Sequence, residues 1–174
     1  MHGERSLYES GWVSLSLVDV EVPGLRRFEH HVVRSPRPAA GVVVADPERG
    51  VLLLWRHRFI TGSWGWELPA GGVDASETVE QGAAREVLEE TGWRPGPLTL
   101  MQVNHPMNGL SDTTFHLFLA RSAVRVGDPT DPSESERVEW LTPDRVREVV
   151  RAGEVTDGLS LGGLLWWLAF EQTG

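Results

Sequence analysis

The sequence predicts a mixed α/β (α+β) fold, with helices layered on a mixed central sheet and an N-terminal β-hairpin ahead of it. Residues 41–45 (GVVVA) and 51–55 (VLLLW) are short, almost unbroken apolar runs, the pattern of strands buried on both faces. A glutamate-rich helical stretch follows and stops at Gly92, a residue that tolerates the left-handed backbone of a helix end. The order strands, helix, strands, helices then sets layers around one sheet. A length of 174 residues fits one such domain.

Residues 1–10 are expected to be a loose start. Val13, Leu15 and Leu17 alternate with Ser14 and Ser16, which is strand periodicity over residues 13–22. Pro23-Gly24 signals a turn, and residues 25–34 form the return strand. Prolines at 36 and 38 break the chain, so residues 1–35 are set apart as a hairpin extension and 36–174 as the main domain. The segment Asp46-Pro47-Glu48-Arg49-Gly50 is a tight loop between the two buried strands. Residues 61–66, rich in Gly and Trp, are expected as a loop, with Trp64 and Trp66 candidates to line a site. Asp74 and Glu77 have capping-box spacing, with Ser76 a rival N-cap, for a helix that runs to Thr91. Residues 98–103 and 114–120 are strands around a polar loop, and 137–141 is a short strand. Thr142-Pro143-Asp144 begins a helix that ends near Gly153. A last helix begins at Asp157 and carries Leu161, Leu164, Leu165 and Leu168.

Sixteen basic residues, all arginine, oppose 25 acidic ones, a net charge of −9. That balance argues against a non-specific nucleic-acid binder, which presents a basic face. It permits a small phosphate-bearing ligand, because a metal can bridge acid to phosphate. The absence of cysteine excludes disulfides, zinc–thiolate sites and cysteine nucleophiles. No run approaches the roughly 18 apolar residues of a membrane span, and the polar start MHGERSLYES is no signal peptide. A soluble, cytoplasmic domain is therefore expected. There is no P-loop and no G-x-S-x-G elbow, which counts against kinases and serine hydrolases.

The acidity is concentrated. Residues 67–90 hold seven carboxylates against Arg85, a local charge of −6, and residues 128–139 hold five against Arg137, a charge of −4. At about 100° per residue, Glu90 lies about 40° from Glu86, and Glu89 about 60° to its other side. Like charges at that spacing are mildly destabilising, and a divalent cation reverses the sign. A solvated acidic face has the same spacing. Two features favour a metal: Arg85 can hold a carboxylate in place, and backbone carbonyls of the preceding Leu68-Pro69-Ala70-Gly71-Gly72 segment can complete an oxygen site. Hard oxygen donors suit Mg²⁺ or Mn²⁺, and Mg²⁺ takes substrate phosphates as further ligands.

Gly71, Glu77 and Arg85-Glu86-Val87-Leu88-Glu89-Glu90-Thr91-Gly92-Trp93 resemble the Nudix box, G-x5-E-x7-R-E-U-x-E-E-x-G-U with U aliphatic. All eight fixed positions before the last match across residues 71–93, and Trp93 stands where an aliphatic is usual. The resemblance implies a Nudix-type α/β/α sandwich and hydrolysis of a nucleoside diphosphate linked to a moiety X. By matching positions it makes Glu86 and Glu90 metal ligands, Glu89 a direct or water-mediated ligand or a base, the Ala70 carbonyl a further ligand, and Arg85 the residue that orients a glutamate. The metal implied is Mg²⁺ or Mn²⁺.

Within that family, Glu67-Leu68-Pro69-Ala70-Gly71 is similar to the ADP-ribose and ADP-sugar pyrophosphatase branch, as is Gly153-Glu154-Val155-Thr156-Asp157. Ser10-Gly11-Trp12-Val13 and Arg26-Arg27-Phe28-Glu29 resemble the branch's N-terminal strands, where aromatics from two subunits sandwich the base. This implies a homodimer, with Trp12 and Phe28 at those positions. Stacking on a base is worth about 1–3 kcal/mol; core or interface packing is the alternative for both rings. Arg58 matches a substrate-contacting arginine, and Arg56 and Glu67 are further substrate-side candidates; the guanidinium fork suits phosphate. The segment Pro132-Ser133-Glu134-Ser135-Glu136 resembles an acidic loop that carries the catalytic base, with Glu134 and Glu136 both eligible. One departure stands out. A proline usual about sixteen residues past the box is absent, Asn108-Gly109 being there instead. Dinucleotides, nucleoside triphosphates and a non-hydrolysing nucleotide sensor stay open, though a sensor typically lacks box glutamates that are all present here.

Overall fold

The computed structural model describes residues 1–130 and 136–172. Three strands come first: β1 (Gly3–Glu9), β2 (Ser14–Val20) and β3 (Phe28–Arg34), paired antiparallel in the order β1-β2-β3. The main sheet follows from β4 (Ala39–Asp46), β5 (Gly50–Arg58), β6 (Ser63–Glu67) and β7 (Ala70–Gly72), then helix α1 (Val79–Thr91). After the short β8 (Trp93–Pro95) come β9 (Leu98–Asn104), β10 (Phe115–Ala120), β11 (Ala123–Arg125) and β12 (Arg137–Leu141). The described chain closes with α2 (Pro143–Arg151), α3 (Gly158–Trp166) and a π-helical turn, Trp167–Glu171. The main sheet has the order β12-β5-β4-β10-β9, with β6 on β5 and β7 on β4. It is mixed, since β4 and β10 run parallel while β9 and β12 run antiparallel to their neighbours.

The apolar runs explain the layering. Alternate residues of β4 and β5 serve opposite faces. Val43, Ala45, Val51 and Leu53 join Val146, Val149, Leu164 and Trp167 of α2, α3 and the terminal turn. Val42, Val44 and Leu52 join Ala83 and Val87 of α1. Both faces are therefore covered, and the expected α/β/α sandwich is the observed one. Among the described residues no helix is long and apolar enough to cross a membrane.

Several elements differ from the sequence-based expectation. Residues 3–9, expected to be loose, form β1; all seven are exposed, so no buried face imprints an alternation on the sequence. Residues 61–66, expected as a loop, largely belong to β6, which pairs with β5 from Ser63↔Arg58 to Glu67↔Leu54. Its two glycine-flanked tryptophans pack on Trp55, Trp64 stacked at 6.2 Å and Trp66 tilted at 5.2 Å. The N-cap of α1 is Thr78, whose hydroxyl accepts from Gln81 N–H while the Gln81 side chain accepts from Thr78 N–H. Asp74 and Glu77 make one of the two capping-box bonds ahead of the helix, Asp74 N–H donating to Glu77 Oε1 at 2.7 Å, and the Glu77 carboxylate is also bound by Arg85.

The helix ends where expected. Gly92 has φ 73°, and a Cβ there would strike the Gly127 carbonyl. Trp93 fills the usual aliphatic slot by packing edge-on against Trp140 at 5.2 Å, with the Arg49 guanidinium over both rings. The N-terminal sheet is fastened to the main domain through the loop before β10. Val33 N–H donates to the Leu110 carbonyl at 2.8 Å, and Arg34 donates to Asp112 at 3.0 Å.

Candidate active site

Helix α1 runs beside β7, and the helix with the turn before it brings three acidic side chains around one cation. Arg85 donates from Nε and Nη2 to Glu77 at 3.1 and 2.7 Å, and from Nη1 to Glu86 and Glu89, each at 2.8 Å. Its Nη2 also donates to the Gly72 carbonyl at 2.9 Å. The guanidinium holds the Glu77 carboxyl below its ordinary pKa. Gly71 is required by close approach, since a Cβ there would fall on the Glu86 carboxylate.

Glu90 is buried, as is Arg56 on β5, which donates to it at 2.8 Å. The Ala70 N–H donates to the other Glu90 oxygen at 2.9 Å. Burial pushes the Glu90 carboxyl up to about 7, against the pull of Arg56 and the Ala70 N–H. Arg58, half exposed, is gripped by Glu67, which is 3% exposed, through bonds of 2.5 to 3.1 Å. A buried carboxylate thus aims an arginine outward. The segment Gly153-Glu154-Val155-Thr156-Asp157 lies alongside β6: the Glu154 carbonyl accepts from Trp66 N–H at 2.8 Å.

These groups line a cavity of about 390 Å³ that collects Arg56, Arg58, Ala70, Gly71, Arg85, Glu86 and Glu90. Trp12, on the turn between β1 and β2, stands 87% exposed at its rim. Phe28 does not line it; it lies at the start of β3, edge-on to His30 at 6.2 Å. Glu67 and Glu89 are not lining residues either and reach the cavity through Arg58 and Arg85. Trp64 and Trp66 pack on Trp55 instead of lining it. Glu136 is exposed, its N–H donating to the Trp55 carbonyl, and Glu134 lies outside the described residues. Two lining residues have no counterpart in the sequence-based set, Arg37 and Asp74, paired with each other at 2.6 Å. Arg37 lies between prolines with no periodicity to mark it, and Asp74 has the spacing of a helix cap.

A Nudix domain model matches residues 35–158. The chain belongs to the Nudix family. The Nudix box accordingly occupies the β7–α1 turn just described. The chain is 42% identical over 161 residues to a CMP-5'-(N-acetyl-N-hydroxy-3-aminopropyl)phosphonate hydrolase of Streptomyces rubellomurinus, covering 92% of this chain and 78% of the relative. It is 27% identical over 156 residues to an ADP-ribose pyrophosphatase of Bacillus subtilis, covering 88% and 84%. A solved structure of an ADP compounds hydrolase superposes with a TM-score of 0.82 at 17% identity, covering 98% of this chain and 94% of that one, which shows the Nudix fold. The chain is therefore a Nudix pyrophosphohydrolase, from a family that generally uses divalent metal ions on small-molecule nucleotides.

The donor chemistry of the Nudix box suits a hard cation. Glu86 and Glu90 offer carboxylate oxygens to one cavity, and Glu86 lies within the space that Gly71 leaves open. Among the described residues no three acidic or histidine side chains converge to enclose an ion in this arrangement. Arg85 draws Glu86 and Glu89 aside, and Arg56 draws Glu90.

Glu90→Gln lowers turnover by orders of magnitude while circular dichroism still reports a folded protein; a rate near that of the parent shows that activity does not depend on the Glu90 carboxylate. In chelator, Glu90 also has a pH signature. Its native pKa lies above the unfolded value, so its contribution to stability is full below about 4.5 and is lost as pH rises through about 7. Denaturant melts of metal-free protein show that decline, on the order of 3 kcal/mol at most, and Glu90→Gln flattens it. Gly71→Ala displaces the carboxylate end of Glu86, not backbone. It lowers kcat by about 100-fold, the scale of a misplaced catalytic group, with the melting temperature little changed; an unaltered kcat refutes the close-approach argument.

Proposed function

We propose that this chain hydrolyses the phosphoric anhydride of ADP-ribose or a related nucleoside diphosphate sugar, giving a nucleoside monophosphate and a sugar phosphate. The observation that carries the reading is one cavity in which Nudix-box carboxylates Glu86 and Glu90 face the guanidinium groups of Arg56, Arg58 and Arg85. Crowded phosphate charge repels a water nucleophile, and this cavity offers groups that neutralise it. Glu86, Glu90 and the Ala70 carbonyl, with Glu89 directly or through water, would hold Mg²⁺ or Mn²⁺, which would supply charge neutralisation and a more acidic water. Arg58, aimed by Glu67, binds a phosphate oxygen by its fork. Arg85 keeps Glu86 and Glu89 in register. Glu134, Glu136 or Glu89 accepts the proton of the attacking water.

The Streptomyces relative favours a second reading, because it is a hydrolase of CMP joined to a phosphonate and shares 42% identity over 92% of this chain. Both substrates join a nucleoside 5'-phosphate to a second phosphorus through oxygen. They differ in the base and in whether the second phosphorus carries an oxygen or a carbon substituent.

The N-terminal extension is proposed as a dimerisation element in a cytoplasmic homodimer, with Trp12 and Phe28 stacking on the base. Trp12 is at the rim of its own chain's cavity and Phe28 is not, so a sandwich needs a second copy to supply one ring.

A substrate panel with Mg²⁺ or Mn²⁺ tests the activity, with products resolved by chromatography and phosphorus NMR. ADP-ribose is expected to yield AMP and ribose 5-phosphate. Cleavage of a cytidylyl phosphonate with ADP-ribose untouched moves the assignment to the second reading, and nucleotide binding without turnover makes the chain a sensor. Light scattering on the same preparation gives a dimer mass; a monomer withdraws the Trp12–Phe28 sandwich.

A further inference from the structure

The arginines of the cavity differ in what holds them. Arg56 is 5% exposed and bound to the buried Glu90. Arg85 is bound by three glutamates, and Arg58 by the buried Glu67. Removing such a cation strands a carboxylate away from water, which is costly. Arg37 is in another situation. Its Nη1 donates to Asp74 at 2.6 Å, and the two side chains are 46% and 56% exposed. An ion pair that open to water contributes little, and both partners rehydrate when it breaks.

The backbones on either side are pinned. Arg37 lies between Pro36 and Pro38, and its carbonyl accepts from the Ser35 hydroxyl at 2.9 Å. The Pro38 carbonyl accepts from Val73 N–H at 3.0 Å, which ties this segment to the turn carrying Asp74. Asp74 N–H is held by Glu77, which Arg85 holds in turn. Exchange of partner therefore needs only rotation of the Arg37 side chain, at the same mouth where Trp12 stands.

Resting on the nucleotide-hydrolase reading above, we propose that Arg37 is a substrate-binding residue whose guanidinium leaves Asp74 for a phosphoryl oxygen of the nucleotide, with Asp74 acting as an internal competitor for it. The guanidinium fork fits carboxylate and phosphate alike. A nucleotide phosphate therefore competes with the Asp74 carboxylate for Arg37. The two residues of one ion pair consequently have opposite effects on affinity, which a merely structural pair does not show.

The test compares Arg37→Ala, Asp74→Asn and the double variant. KM and kcat are measured on whichever nucleotide the panel identifies, and calorimetry measures AMP and CMP binding to the metal-free protein. Arg37→Ala is expected to raise KM about tenfold, the effect of losing a charged hydrogen bond, with kcat within about twofold. Asp74→Asn is expected to lower KM about twofold to fivefold, and that gain disappears in the Arg37→Ala background. A KM unchanged in Arg37→Ala, a KM raised in both single variants, or a kcat collapse in Asp74→Asn each overturns the proposal. Should Arg37→Ala fold poorly, Arg37→Gln keeps the stem and loses the charge, and the same contrast applies. Parent protein that neither binds nor cleaves any nucleotide instead defeats the underlying functional reading, and this one with it.

Discussion

Arg85 places its guanidinium among Glu77, Glu86, Glu89 and the Gly72 carbonyl with five hydrogen bonds, and the geometry of the whole site depends on that contact. Without it, one helix face would carry unpaired like charges at i, i+3 and i+4, each pair mildly destabilising. With it, the same repulsion becomes a cage that fixes the β7–α1 turn from three sides. The cage also explains the two box residues that precede the helix. Glu77 is there to orient Arg85, and Gly71 is there because the Glu86 carboxylate occupies the space of a side chain.

The sheet supplies the second constraint. Strands β4 and β5 are buried on both faces, so α1 is pressed to one side by Ala83 and Val87. β7 is paired to β4 in register Gly41↔Ala70. Backbone and helix thereby meet at the buried Arg56–Glu90 pair, which joins β5 to α1. A buried ion pair is a poor source of stability. Its presence here makes sense as positioning, because Glu90 is held by Arg56 on one oxygen and by Ala70 N–H on the other. The same logic governs Arg58, whose exposed head is fixed by a carboxylate that never reaches solvent.

What the residues declared in advance follows from local chemistry. The apolar runs of β4 and β5, the stop at Gly92, the Thr142-Pro143 helix start and the Asp157 cap each need only neighbouring residues, and each is where expected. The misplacements share another cause. β1 is exposed along its whole length, and β6 carries a glycine between its tryptophans, so pairing alone makes them strands. Thr78 is the N-cap because it and Gln81 close both bonds of a capping box, whereas Asp74 and Glu77 close one and Glu77 also serves Arg85, eight residues along the chain.

The family, the box and the face on which Glu86, Glu89 and Glu90 project are legible in the chain alone, because helical spacing and motif spacing are properties of residue order. Only the tertiary structure decided which charges answer which. Arg56 reaches Glu90 across 34 positions and Arg37 reaches Asp74 across 37, distances over which no pattern of residues signals a contact. The net charge of −9 shows the same division. Composition locates the acid near the box, but folding sets arginines from β5, α1 and the segment before β4 against it. The result is a cavity where acid and base face one another, suited to an anionic substrate that a uniformly acidic surface would repel.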